Sequence, residues 1–126
     1  MLRKFIKKQL AARGYAHVGP GVGFPDMEKE FFAMLRQCKP YTLTSVERMY
    51  TLYKAVRYVQ ENNIPGDFVE CGVWKGGSVM LMASVLSSMG VHDRKIYMYD
   101  TYEGMSEPTD KDVNLQGLQA REKWDK

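Results

Sequence analysis

Between Phe68 and Asp100 the chain reads as strand, glycine loop, helix, strand and acid, and that order leaves few folds open. Phe68, Val69 and Cys71 supply a short apolar strand, and the stretch FVECGVWKGGS carries it into a loop with glycines at 72, 76 and 77. Ser78 to Met89 (SVMLMASVLSSM) then reads as a helix stopped by Gly90, apolar nearly all round and so expected to be buried on most sides. A polar turn from Val91 to Lys95 leads to a second strand, Ile96 to Tyr99, ending on Asp100. Two strands joined through a helix lie parallel with a right-handed crossover, so this is an α/β chain carrying the opening βαβ unit of a Rossmann-like, doubly wound sheet.

Upstream, Glu28 to Gln37 is expected to be a helix that Pro40 limits. Thr44 to Glu47 has the form T-x-x-E, which predicts a capping box with Thr44 as the cap. The helix it opens has Val46, Met49, Leu52, Tyr53, Val56 and Val59 on its apolar face, and Asn62, Asn63 and Pro65-Gly66 end it. The predicted boundary falls at 43/44: residues 1–43 hold a basic helix, an arm and a short helix, and residues 44–126 begin the nucleoside-binding domain. The arm, residues 16–27, contains too many glycines and prolines for a regular element.

At 126 residues and 44% apolar composition, one small core is the expectation. The net charge of +3 belongs to the N-terminus, where Arg3, Lys4, Lys7, Lys8 and Arg13 stand without any acid. The rest of the chain is slightly acidic, so no nucleic-acid footprint is expected. Leu2, Phe5, Ile6 and Leu10 give residues 1–15 an amphipathic face, which suits docking on protein, including a second copy in a homo-oligomer, and also contact with an anionic membrane surface. Docking is the favoured reading, because the segment has no tryptophan anchor and no long apolar run. Cys38 and Cys71 lack metal-ligand spacing, which points to free thiols and a cytoplasmic setting.

The ligand of the glycine loop follows from its residues. A triphosphate loop needs a lysine after its last glycine, and Lys75 precedes the paired glycines instead. A dinucleotide loop needs a glycine where Trp74 stands. S-adenosylmethionine, with no phosphate and a zwitterionic tail, is compatible with both features, and Glu70 is placed to orient its amino group. A purely structural Glu70, bonded to loop amides, fits the sequence equally well. Asp100, at the tip of the next strand, is placed to accept both hydroxyls of a ribose, with a turn-capping role as the plainer alternative. Trp74 is expected to pack at the loop crest. His17 and His92 have no acid partner at useful spacing, and neither is assigned a catalytic role.

GDFVECGVWKGGSVMLMASVL, followed by YMYDTYEGM and preceded by the T-S-V-E-R-M helix, resembles the macrocin O-methyltransferase (TylF/MycF-type) family over roughly residues 40 to 110. The resemblance implies an S-adenosylmethionine-dependent O-methyltransferase acting on sugar or other small-molecule hydroxyls. It places Glu70, Gly72 and Gly76 in the methionine-binding loop and Asp100 at the ribose, with Thr101 and Tyr102 flanking the adenosine. Thr44 or Ser45 would lie near the methionine tail. It also implies Mg²⁺ and a catalytic aspartate contributed by later strands. A sheet of that kind has about seven strands in a domain well above ~150 residues, so the chain reads as a front, cofactor-binding portion, inactive alone. No catalytic residue and no metal ligand is assigned within it; Asp110, Asp112, Glu122 and Asp125 show no metal-ligand spacing. Two other classes stay open on the residues: a non-catalytic nucleoside-binding or interaction module, and a membrane-surface protein led by residues 1–15.

Overall fold

The structure is a computed structural model that describes residues 24–114 and 117–124. The expected basic helix over residues 1–15 and most of the arm lie outside them. Helix α1, Lys29–Cys38, forms because Phe31, Phe32, Leu35 and Cys38 line one face, and all four are buried. Pro40 then has no N–H to continue the ladder, and the chain tightens into a 3₁₀ turn, Lys39–Tyr41.

Helix α2 runs Val46–Glu61, and its cap departs from the expected capping box. Ser45, not Thr44, is the N-cap: Arg48 N donates to Ser45 Oγ at 3.5 Å. Thr44 is held in the preceding segment, its N–H donating to Thr42 Oγ1 at 3.0 Å and its carbonyl accepting from Lys39 Nζ at 3.2 Å. Those two ties keep Thr44 outside the helix, so the adjacent serine becomes the cap. Met49, Tyr53 and Val56 are the buried stripe, with Val46 and Leu52 packed at its margin. At the far end Asn62 Nδ2 bonds Tyr58 O at 2.8 Å, and Asn63 turns the chain at φ 52°.

Strands β1, Phe68–Cys71, and β2, Ile96–Tyr99, pair in parallel with Phe68 opposite Ile96 and Cys71 opposite Tyr99. Helix α3, Gly77–Ser88, makes the crossover. The strand entries are tied together: Lys95 N bonds Asp67 Oδ1 at 2.9 Å, and the Arg94 guanidinium reaches Gly66 O and Ile64 O at 2.7 and 2.5 Å. A short helix α4, Arg121–Trp124, follows an isolated antiparallel bridge between Val113 and Gln119.

The core lies among α1, α2 and α3, with Phe31, Leu35, Met49, Tyr53, Leu81 and Val85 at its centre and Phe68 and Ile96 bringing the sheet against it. It takes side chains from both sides of the 43/44 boundary. Fully burying a residue of this size is worth about 1.5–3 kcal/mol, so α1 is held chiefly by its two phenylalanines and Leu35. The expectation that the crossover helix is covered nearly all round is corrected. Leu81, Met82, Val85 and Leu86 are buried, whereas Met80, Ala83 and Ser87 are exposed, because the other described helices pack along one side of α3. The sheet likewise exposes the face bearing Val69, Tyr97 and Tyr99.

Candidate cofactor site

Beyond the carboxyl ends of β1 and β2 the chain builds a tightly bonded loop. Gly72 N extends the ladder by one bond, donating to Tyr99 O at 2.8 Å. Val73 turns inward and Trp74 follows in the left-handed region at φ 49°. Gly76 N returns to Val73 O at 2.9 Å, and Gly76, at φ 82°, is the N-cap of α3.

The glycines divide into two kinds. A side chain at Gly72 or Gly76 would meet nothing within 4 Å, and both have positive φ, so these positions are open to a ligand and need glycine for the backbone. Gly77 is filled by the protein itself: a Cβ there would lie 2.6 Å from Tyr41 O and from Thr42 Cβ. Its missing side chain lets the 3₁₀ turn pack on the start of α3.

That packing makes a cleft of about 190 Å³ lined by Thr42, Thr44, Glu70, Gly72, Trp74 and Ser78, among others. Glu70 is half-buried in its wall, and among the described residues no hydrogen bond or ion pair engages its carboxylate. The α3 N-terminus, which no side chain among the described residues caps, lies beside it. The cleft therefore offers a carboxylate for an ammonium group and helix N–H groups for a carboxylate, the complement of an amino-acid zwitterion. Its size suits the tail of a ligand rather than a whole nucleoside.

Asp100 lies at the end of β2, outside the walls of the cleft. Its Oδ2 accepts from Val73 N at 2.6 Å and from Trp74 N at 3.0 Å, and its Oδ1 accepts from Tyr102 N at 3.0 Å. Thr101 Oγ1 is 3.4 Å from Oδ1 and 3.2 Å from Gly104 O, and its one hydrogen serves one of them at a time. The amides of Tyr102, Trp74 and Val73 hold the Asp100 carboxyl below the usual aspartate range. A pyrophosphate cradle needs free loop amides, and those of residues 72, 73, 74 and 76 are all spent within the protein.

Of the other residues expected in the site, Thr101 and Tyr102 are exposed beside Asp100, and Ser45 is engaged in capping α2. Trp74 corrects the expectation of a packed crest: the residue is 52% exposed, with Lys75 Nζ 4.9 Å from the ring centroid. Thr42 and Ser78 also wall the cleft, beyond the residues expected from the sequence. The paired glycines were the available signal, since two in succession at a helix start invite close backbone approach. A second cavity, about 370 Å³ between Met105 and Ala120, is lined by none of the expected site residues. Among the described residues there is no group of three or more His, Cys, Asp or Glu side chains arranged to hold a metal ion.

The family model for macrocin O-methyltransferase (TylF) matches residues 26–126. The chain belongs to the macrocin O-methyltransferase family. Among curated family relatives, it is 37% identical over 65 residues to the demethyldecarbamoylnovobiocin O-methyltransferase of Streptomyces niveus, covering 52% of this chain and 25% of that protein. It is 34% identical over 85 residues to an 8-demethyl-8-(2,3-dimethoxy-alpha-L-rhamnosyl)-tetracenomycin-C 4'-O-methyltransferase of Streptomyces olivaceus, covering 68% of this chain and 33% of that protein. It is 31% identical over 72 residues to the mycinamicin III 3''-O-methyltransferase of Micromonospora griseorubida, covering 57% of this chain and 28% of that enzyme. The solved structure of the O-methyltransferase NovP superposes with a TM-score of 0.51 at 34% identity, over 56% of this chain and 29% of NovP. This macrocin O-methyltransferase family chain thus spans a quarter to a third of its curated relatives and carries part of their Rossmann-like α/β fold.

Proposed function

We propose that the chain is the cofactor-binding portion of an S-adenosylmethionine-dependent O-methyltransferase whose acceptor is a sugar or other small-molecule hydroxyl. The observation that carries this reading is a Glu70 carboxylate with no partner among the described residues, in a small cleft beside the start of α3, with the amides of residues 72, 73, 74 and 76 already bonded within the protein. Such a site suits a phosphate-free ligand with an amino-acid tail. When bound, S-adenosylmethionine supplies an electrophilic methyl group that an acceptor hydroxyl oxygen takes by in-line displacement.

In this reading Glu70 binds the ammonium group and the amides at the start of α3 receive the tail carboxylate. Gly72 and Gly76 leave room for close approach, Thr44 borders the tail, and the nucleoside lies toward Asp100, Thr101 and Tyr102. Ser45, as the α2 cap, bears on this end only through the Thr42–Ser45 segment. The chain's own contribution is thus orientation, which governs a displacement reaction because the reacting atoms must be aligned. The Mg²⁺, the base and the acceptor pocket that the resemblance implies are assigned to no residue of this chain. A cytoplasmic setting belongs to the same proposal; no helix among the described residues is long and apolar enough to cross a membrane.

Calorimetric titration tests it. S-adenosylmethionine and S-adenosylhomocysteine should bind, NAD should not, and Glu70→Gln should weaken both methionine-derived ligands about tenfold, as loss of a charged hydrogen-bond partner does. Binding of NAD in preference, or unchanged affinity in the Gln variant, would remove the reading or the role of Glu70 respectively.

A further inference from the structure

Asp100 is bound on both sides to residues in an unusual backbone state. Trp74 and Tyr102 are two of three described non-glycine residues with positive φ, at 49° and 56°, and both donate their amides to this carboxylate. A bulky side chain in the left-handed region is costly and persists where its surroundings over-determine it. Here the surroundings are one charged group. Oδ2 holds the loop after β1 through Val73 and Trp74, and Oδ1 holds the turn after β2 through Tyr102. A carboxylate has about four acceptor sites; three face backbone amides and Thr101 Oγ1 stands at the fourth.

The geometry points to Asp100 as a positioning residue: its carboxylate clamps the loop after β1 to the turn after β2 and thereby sets the shape of the cofactor cleft, keeping these amide bonds while ligand is bound instead of exchanging them for ribose hydroxyls. The inference rests on the cofactor reading for its ligand, but not for the clamp itself. It refines the sequence expectation that Asp100 receives the ribose directly. Both oxygens could turn to the sugar only by releasing amides of residues 73, 74 and 102, and the left-handed states of Trp74 and Tyr102 would then lose their restraint. The clamp also explains how Trp74 is tolerated in a loop of this kind: its amide is held while its ring projects outward over Lys75.

The experiment has two arms. In the protein without ligand, the amide proton shifts of Val73, Trp74 and Tyr102 are followed by NMR from neutral to acid pH. The clamp requires these three to move together, with a midpoint below the ordinary aspartate value of 3.8. Amides that stay still while other aspartates titrate would overturn it, whatever the ligand. In the second arm, S-adenosylhomocysteine and its 2',3'-dideoxyribose analogue are titrated into the native protein and Asp100→Asn. The clamp predicts that the variant weakens both ligands by the same factor, about tenfold or more, since one oxygen's bonds are lost in either case. A variant that weakens S-adenosylhomocysteine but leaves the dideoxy analogue unchanged shows contact with the hydroxyls and overturns the inference. If the native protein binds neither ligand while its amides titrate as described, the cofactor reading falls and the clamp stands.

Discussion

Gly77→Ala should destabilise the protein, although helix propensity argues the opposite. Gly77 is the first residue of α3, and in an ordinary helix alanine is better than glycine by about 1 kcal/mol. Gly77 is also buried, and its φ imposes no left-handed strain, so only packing opposes the change. The added Cβ would stand 2.6 Å from Thr42 Cβ and from Tyr41 O, where carbon contacts settle at about 3.5–4.0 Å. The opposing atoms include backbone, which cannot swing aside as a side-chain tip does. The 3₁₀ turn and the extended segment after it must therefore move off α3, and overpacking of this kind costs about 1–3 kcal/mol. Because Tyr41, Thr42 and Thr44 also wall the cleft, the same shift should weaken binding of S-adenosylhomocysteine. Urea unfolding of the native protein and the variant, read by circular dichroism, gives the stability change, and calorimetry gives the affinity. A variant as stable as the native protein, or more so, would refute the close approach of the turn to α3.

Other substitutions separate packing from capping. Leu81→Ala removes a fully buried side chain from the middle of α3 and should cost about 2–5 kcal/mol in the same unfolding assay. Ser45→Ala should cost roughly 0.5–1 kcal/mol, the low end for a cap because its bond is long, whereas Thr44→Ala should leave the start of α2 intact by hydrogen exchange. The Asp112 carboxyl is held below its ordinary value by the Thr109 amide and hydroxyl. A depressed carboxyl stabilises above its unfolded value and loses that contribution as pH falls through the folded one. The turn at residues 109–112 should therefore stay closed through the ordinary aspartate range and open only as the pH falls below it, with the Thr109 amide shift reporting the change.

Local pattern carried most of the elements into view. The four-residue strands, the helix between them and their parallel pairing follow from apolar runs punctuated by glycine and proline, because such runs bury one face and glycine breaks them. The α2 cap falls one residue past the expected Thr44, since Thr44 and Ser45 both have a hydroxyl and the choice depends on Lys39 and Thr42 holding Thr44 back. The face of α3 that stays exposed was equally hidden, because hydropathy records what a side chain prefers and says nothing of which neighbours reach it.

By itself, then, the sequence determined a βαβ unit, a glycine loop that matches neither the triphosphate nor the dinucleotide pattern, and an acid at the end of the second strand. Tertiary structure decided what those residues touch. It separated Gly72 and Gly76, open to a ligand, from Gly77, filled by Tyr41 and Thr42, and it gave the Asp100 carboxylate to the amides of Val73 and Trp74. Spacing along a chain limits which groups can meet. Hydrogen bonds and close contacts between distant segments are settled only when the elements pack, and there a carboxylate goes to the donors nearest it.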